Sequence, residues 1–172
     1  MDITRLARAT DADAIARVQY DSWMERVPEV LEHISVQEIE TAWASTISAG
    51  DGRSGRVLVV ERSGQVEGYC AVMFDLDVKI CQVVGLEVSP NSRRSTLGIR
   101  LTNAAADLAM SAGMDEMTAW LGRDETAAQH LLQSAGWTLT GAERTVAMAT
   151  ATESLAQERN EIEFLVSLTE PL

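Results

Sequence analysis

The chain has 172 residues, of which 46% are hydrophobic and 23% charged, and its formal net charge is −12 at pH 7. This size and composition predict a single globular domain over residues 1–172, and the acidic balance argues against a general nucleic-acid binder, which carries a basic footprint. No apolar run approaches the roughly 20 residues that a membrane helix needs, and residues 1–10 lack the apolar core of a signal peptide, so we expect a cytoplasmic protein.

The first third of the chain predicts a strand followed by two helices. Residues 3–7 form a short strand pattern, and residues 10–13 offer a cap and early acidic side chains for a helix that ends before Pro28. The Ser35–Glu38 stretch is a capping-box pattern, with a serine followed three residues later by a glutamate. It predicts a second helix that continues through Ile47.

Three strand patterns follow in succession. Residues 56–61 and 66–74 flank a turn and predict a hairpin. A second connection at residues 75–79 leads to the apolar, β-branched run Val83–Val88, which predicts a buried central strand. The proline and polar residues of Ser89–Ser92 then interrupt the strand, because proline cannot donate to a ladder and Asn and Ser favour turns.

A polar loop and a helix follow this central strand. The loop contains Arg93, Arg94, Ser95 and Thr96. Apolar residues then recur at three- and four-residue steps, which predicts a helix that begins at Leu97 and ends at Gly113. The first turn of a helix has unpaired N–H groups and partial positive charge, so the segment predicts a small-anion site. The alternative is that both arginines are solvated loop residues.

The remaining patterns are a strand, a short helix, two extended pieces and a last strand, at residues 117–121, 125–135, 137–139, 144–148 and 161–168. Residues 150–160 are polar and predict a loop. Cys70 and Cys81 fall inside predicted strands, which favours buried free thiols over a disulfide or a metal site. The element order predicts a mixed α/β (α+β) domain whose sheet starts antiparallel and contains a parallel join in the middle.

The loop before the central helix resembles the pyrophosphate loop of the GNAT superfamily, the acyl-CoA-dependent N-acyltransferases. The family pattern is Arg/Gln-x-x-Gly-x-Gly/Ala, placed after a strand and opening a helix. Arg93 and Gly98 match its two ends, whereas Thr96 replaces its middle glycine. The element order extends the resemblance to nearly the whole chain.

A second part of the resemblance lies downstream. The family often shows Asn-x-x-Ala, then a tyrosine, then Gly-Phe. Ala128 and Gly136–Trp137 match this pattern, whereas Glu125 and Leu132 stand at the asparagine and tyrosine positions. The resemblance implies a GNAT-type fold, in which a central mixed β-sheet with a splayed parallel strand pair is flanked by helices.

The resemblance also implies acetyl-CoA (coenzyme A) as cofactor. Main-chain donors of the loop face the pyrophosphate in the family, and the central strand pairs with pantetheine. The residues implied in cofactor binding are Leu86, Val88, Arg93, Arg94, Ser95, Thr96, Leu97, Gly98 and Ile99. No metal site is expected, since the two histidines offer little for metal chemistry.

Transfer to an amine requires a base, because only the neutral amine attacks. The candidates near the gap expected between the two splayed strands are Glu87, Gln82, Asp75 and Asp77. Glu87 is the carboxylate nearest to the cofactor strand and is the predicted catalytic residue; the alternative is a solvated or ion-paired side chain. Leu132 cannot protonate the leaving thiolate as the family tyrosine does, and His130 and Tyr69 are the alternatives.

An acceptor pocket is expected between the first two helices and the strands after Gly64. Its predicted acidic wall consists of Asp21, Glu25, Glu29 and Glu32, with His33 beside them, and its predicted apolar wall of Trp23 and Trp43. Core tryptophans and solvated carboxylates are the alternative interpretation. The resemblance implies an N-acetyltransferase that moves an acetyl group to a primary amine of a small molecule or peptide by direct attack. A non-catalytic acyl-CoA-binding domain and a regulatory module that forms a homodimer through its last strands remain as alternatives.

Overall fold

The structure is a computed structural model that describes residues 2–148 and 157–169. Its strands are β1 (Asp2–Leu6), β2 (Gly55–Arg62), β3 (Gln65–Asp75), β4 (Ile80–Val88), β5 (Glu116–Gly122), β6 (Thr138–Met148) and β7 (Gln157–Ser167). Its α-helices are α1 (Ala12–Arg26), α2 (Val36–Ala49), α3 (Leu97–Ser111) and α4 (Thr126–Ser134). None of the helices in the described part of the chain has the length and apolarity needed to cross a bilayer.

The seven strands in the described part of the chain form one sheet in the order β1-β2-β3-β4-β5-β7-β6. Every neighbouring pair is antiparallel except β4 and β5, which are parallel. A parallel pair needs a crossover, and α3 provides it between these two strands. The predicted mixed α/β sheet with one parallel join is therefore confirmed.

The sheet has helices on both faces. On one face, α3 and α4 bury Leu97, Leu101 and Leu132 against sheet residues such as Phe164, and each of these four side chains is at most 1% exposed. On the other face, α1 and α2 pack against β2 and β3 through a smaller cluster around Ile15. Complete burial of one such aliphatic side chain stabilises the fold by about 1.5–3 kcal/mol. The first cluster contains many more buried side chains than the second, so it is the main core.

A β-bulge in β4 separates the two strands of the parallel pair. Val72 of β3 pairs with Val83, but the preceding Ala71 pairs with Gly85, so Val84 is an extra residue on β4. Pairing between β4 and β5 also ends at Val83, although β4 continues to Val88 and β5 to Gly122. A bulge bends its strand and increases its twist. The strands consequently diverge beyond Val83, as predicted for the splayed pair.

Several boundaries differ from the predictions. The capping box at Ser35 and Glu38 is present, but β4 begins three residues before the predicted start because its first part pairs with both neighbours. The two extended pieces near the end form the single strand β6, which passes through Gly141 at a φ of 87°. Strand β7 begins at Gln157, inside the predicted loop of residues 150–160, and residues 150–156 of that prediction lie outside the described residues.

Both cysteines are buried free thiols. Burial raises the pKa of Cys70 and of Cys81 to about 12. The two thiols therefore behave as small apolar groups within the core.

Candidate active site

The turn before α3 leaves main-chain donors available. The Ser95 hydroxyl donates to the Ser92 carbonyl over 2.6 Å and accepts a long hydrogen bond of 3.4 Å from the Leu97 N–H. The exposed Thr96 side chain makes no capping hydrogen bond. Within the described residues, the N–H groups of Gly98 and Ile99 have no hydrogen-bond partner. The first turn of α3 therefore keeps the free donors and partial positive charge that attract an anion.

The two loop arginines have different surroundings. Arg93 forms an ion pair with Glu25, and its Nη2 donates to the Ser22 hydroxyl over 2.8 Å. Arg94 is exposed, adopts a left-handed φ of 59°, and has no ion pair or hydrogen bond to the described part of the chain. Arg93 is therefore held against α1, and Arg94 is the cation that remains available.

Gly98 has a packing role. It is buried, and a Cβ at this position would overlap Leu131 of α4. Because this Cβ would point towards α4, the glycine allows close approach of the two helices. Its match to the family loop thus has a structural explanation beside the predicted cofactor role.

Beyond the bulge, the backbone edge of β4 that faces the gap between β4 and β5 is open. The side chains of Leu86 and Val88 pack towards the main core, so their predicted contribution to a ligand is through the backbone. Peptide groups on the β5 side of residues 85–88 have no strand partner there. Backbone N–H and C=O groups need such partners, and an extended ligand that carries amides would supply them.

Glu87 lies on the opposite face of β4, towards α1, and its side chain is only 14% exposed. Its Oε2 accepts a 2.6 Å hydrogen bond from the buried Ser22 hydroxyl, and its Oε1 forms an ion pair with Arg26. Burial raises the pKa of Glu87; Arg26 and Ser22 oppose this shift, whereas Glu125 adds to it. Glu87 is therefore largely buried and ion-paired, and its catalytic role stays a prediction.

Arg26 connects the two sides of the gap. One of its terminal nitrogens pairs with Glu87 on β4 and the other with Glu125, in the short segment between β5 and α4. Glu125 also accepts a 2.9 Å hydrogen bond from the Gly122 N–H and pairs with Arg159 of β7. Sequence reasoning missed this role of Arg26 because its partners are 61 and 99 residues away. Glu125 stands where the family has an asparagine, and this difference was the sequence signal that could have pointed to it.

Of the other acid–base candidates, only Tyr69 lies beside Glu87. It is paired with Glu87 across β3 and β4, and its ring packs edge-on against Trp43 with centroids 5.0 Å apart. Burial, followed by the charge of Glu87, raises the pKa of Tyr69 well above its ordinary value, so it remains a phenol. Leu132 is 1% exposed in the core, and His130 is exposed on α4.

The remaining base candidates are away from Glu87. Asp75, the last residue of β3, and Asp77, in the turn that follows, are both exposed, and the Asp75 carboxylate accepts a hydrogen bond from the Asp77 N–H. Gln82 pairs with Thr118 in the part of the sheet where β4 and β5 are still joined. The structure therefore does not bring these three residues to the gap.

A cavity of about 810 Å³ lies between α1, α2 and the first four strands. Trp23 and Trp43 line it, as predicted, and its β4 contact is the bulge residue Val84. None of the five predicted polar wall residues, Asp21, Glu25, Glu29, Glu32 and His33, lines it; the charged lining residues are Glu38, Asp51 and Arg56. The cavity therefore reaches β4 at the point where the parallel strands separate, but its acidic wall is not the predicted one.

Comparisons with known proteins agree with this geometry. The model of the acetyltransferase (GNAT) family matches residues 15–137. No protein of curated function matches the chain in sequence. The fold is similar to that of yncA from Salmonella typhimurium, described as an acetyltransferase and solved with its cofactor acetyl-CoA. The TM-score is 0.75 at 20% identity, over 99% of this chain and 95% of that one.

Two further structures have the same fold. The N-acetyltransferase from Staphylococcus aureus Mu50 gives a TM-score of 0.76 at 16% identity, with 98% of this chain and 99% of that chain covered. The ribosomal-protein-S18-alanine N-acetyltransferase from Escherichia coli gives 0.70 at 15% identity, with 99% and 96% covered.

Proposed function

Because the chain belongs to the acetyltransferase (GNAT) family, we propose that it transfers the acetyl group of acetyl-CoA to a primary amine of a small molecule or peptide. The observation that carries this proposal is the meeting of two spaces at Val84. The gap between β4 and β5 begins there, and the 810 Å³ cavity reaches β4 there. A donor in the gap and an acceptor in the cavity would meet at this residue.

The residues present fit the family's acyl donor. Acetyl-CoA combines an extended amide arm with a pyrophosphate, and the open β4 edge at residues 85–88 offers main-chain partners for the amides. The free N–H groups of Gly98 and Ile99, with the exposed Arg94, suit the phosphates. Thr96 makes no capping bond with these donors, so the missing family glycine does not occupy them.

The reaction requires the protein mainly to position acetyl-CoA and the amine and to accept a proton. Acetyl-CoA supplies an activated carbonyl carbon, to which the amine nitrogen bonds as the carbon–sulfur bond breaks. We assign the amine proton to Glu87 through intervening water, because Glu87 is on the same strand as Val84 and towards α1 but does not itself line the cavity; burial raises its pKa above that of an ordinary glutamate. Arg26 and Ser22 fix the orientation of this carboxylate. A leaving thiolate needs no acid, because thiols have a pKa of about 8.5, and the buried Leu132 supplies none.

The test is an activity assay in which the purified chain is mixed with acetyl-CoA and each of a panel of primary amines. The release of free thiol measures the rate of transfer, and mass spectrometry identifies the acetylated product. Glu87→Gln should lower turnover by about 10²–10⁴-fold, the usual contribution of a general base, and should change the pH profile. Glu116→Gln, a carboxylate at the joined end of β5, is the matched control and should leave both unchanged. An unaltered pH profile in Glu87→Gln would remove Glu87 from the mechanism.

Acyl-CoA binding without transfer is the second candidate function. Two observations favour it: Leu132 is buried where the family has its tyrosine, and both carboxylate oxygens of Glu87 are already engaged. Calorimetry with acetyl-CoA separates the two functions. Binding without turnover on any amine would support the second candidate, and undetectable binding at millimolar ligand would exclude both.

A further inference from the structure

The cavity contains one cation that its own surroundings do not neutralise. Of its three charged lining residues, Glu38 and Asp51 are occupied in local turns: Glu38 accepts from the Ser35 N–H, and Asp51 accepts from the Arg53 N–H. These hydrogen bonds lower the pKa of both carboxyls, so both remain ionised at neutral pH. Arg56 is the third charged residue, and it has no ion pair with any described residue.

Arg56 is held in place by glycines. Its Nη1 donates to the Gly55 carbonyl over 3.3 Å, and its guanidinium lies against Gly52, where any Cβ would overlap it. Gly52 has a φ of 76°, a conformation that favours glycine. The loop before β2 therefore cradles the guanidinium at the cavity wall, while its remaining N–H donors stay available.

Arg56 and Val84 lie two strand spacings apart in the wall of the cavity. Arg56 pairs with Val72 on β3, and Val72 pairs with Val83, the neighbour of Val84, on β4. Strands are about 4.8 Å apart, so the backbones of Arg56 and Val84 are separated by about 10 Å. The lining between them is apolar and includes Trp43, Ile47, Val57 and Ala71.

We propose that the acceptor is a short apolar peptide, bound by its C-terminal carboxylate at Arg56 and presenting its α-amino group at Val84. This inference rests on the proposed function, which places the acceptor in the cavity. An extended chain covers about 3.3–3.6 Å per residue, so two or three residues span the distance. The guanidinium fork can donate two parallel hydrogen bonds to a carboxylate.

The experiment measures binding without acetyl-CoA, so it does not depend on turnover. The probes are the tripeptide Leu-Ala-Leu and its C-terminal amide, titrated by calorimetry into the full chain. The wild-type chain should bind the acid at least tenfold more tightly than the amide. Arg56→Gln should abolish this preference and leave the affinity for the amide within about twofold, while Arg56→Lys should retain part of the preference, because it keeps a point charge without the fork.

Arg53→Gln is the matched control, since Arg53 is a neighbouring exposed arginine that does not line the cavity. It should leave the preference for the acid unchanged, and circular dichroism should show that each variant is folded. Equal affinity for acid and amide, no binding of either, or the same loss in Arg53→Gln would overturn the assignment of Arg56. If the acid is preferred but not acetylated, the peptide site stands and the proposed transfer fails. If amines are acetylated without this preference, the transferase stands and the peptide site fails.

Discussion

The bridge made by Arg26 gives a quantitative prediction. Arg26→Met removes the guanidinium while keeping much of the aliphatic stem. Glu87 then loses its paired cation, although Ser22 still donates to it, and Glu125 retains Arg159. The two carboxylates are each only 14% exposed, so water compensates little for the lost charge.

The cost follows from the exposure of the three side chains. Removal of one partner from a fully buried pair costs about 3–5 kcal/mol, whereas exposed pairs contribute about 0–1 kcal/mol. The Arg26 side chain is 31% exposed, which places the pair between these limits. We expect Arg26→Met to lower the free energy of unfolding by about 1.5–2 kcal/mol at pH 8.

The same substitution should make stability depend on pH. Arg26 lowers the pKa of Glu87 against the larger effect of burial, so its removal raises that pKa further. A carboxyl with a raised folded-state pKa binds its proton more tightly in the folded state than in the unfolded state, and its ionisation above that pKa costs stability. The deficit of Arg26→Met should therefore be complete at pH 8 and should shrink as the pH falls and Glu87 is protonated.

Urea unfolding at pH 8 and pH 5.5 measures this deficit, in the wild-type and Glu87→Gln backgrounds. With a neutral glutamine in place of Glu87, Arg26→Met should cost less than half of its pH 8 value, because only the pair with Glu125 is then lost. An equal cost in both backgrounds and at both pH values would refute the reasoning, since Arg26 would then contribute through packing alone.

Three further substitutions test the loop, the core and the strand beside Glu87. Arg94→Gly relieves a left-handed φ of 59°, so the free energy of unfolding should stay equal or rise by up to about 1 kcal/mol. The affinity for acetyl-CoA should fall, because the loop loses its available cation. Unchanged affinity in calorimetry would remove Arg94 from the cofactor site. Leu101→Ala empties a position that is 0% exposed and should cost about 3–5 kcal/mol in urea unfolding; a loss below about 2 kcal/mol would show that the core collapses around the site. Gly68→Ala would place a Cβ 2.8 Å from the Glu87 carbonyl oxygen, which should cost about 1–3 kcal/mol and lower turnover; wild-type values of both would show that the strands accommodate this Cβ without moving Glu87.

Local sequence signals predicted most of the fold. The Ser35–Glu38 capping box defined the start of α2, and the apolar stripe from Leu97 defined α3, because caps and helical periodicity are encoded over a few neighbouring residues. The order of elements was sufficient for the parallel join between β4 and β5. The single-domain extent, the cytoplasmic location and the homodimer stay predictions.

The site depends on contacts that are distant in sequence. The bulge at Val84 results from register with β3, which no local pattern of β4 specifies. Arg26 and Glu125 meet only because α1 and the segment after β5 border the same gap. The carboxylates predicted as an acidic wall do not line the cavity, which agrees with the alternative of a solvated face, because helix periodicity does not show which carboxylates of α1 and the following turn face a cavity. Arg56 was predicted only as the first residue of a strand, and no local pattern shows that its side chain lines the cavity.

The two core cysteines have a practical consequence for measuring activity. Cys70 and Cys81 are the only sulfhydryls of the chain, and each has a pKa of about 12. Since the thiolate is the reactive form, a chromogenic disulfide at neutral pH should detect coenzyme A as it is released, with almost no background from the folded protein. A single turnover can then be measured with the protein and acetyl-CoA at equal concentrations. A cysteine introduced at Ala42, on the cavity wall, would be a unique attachment point for a fluorescent reporter of acceptor binding.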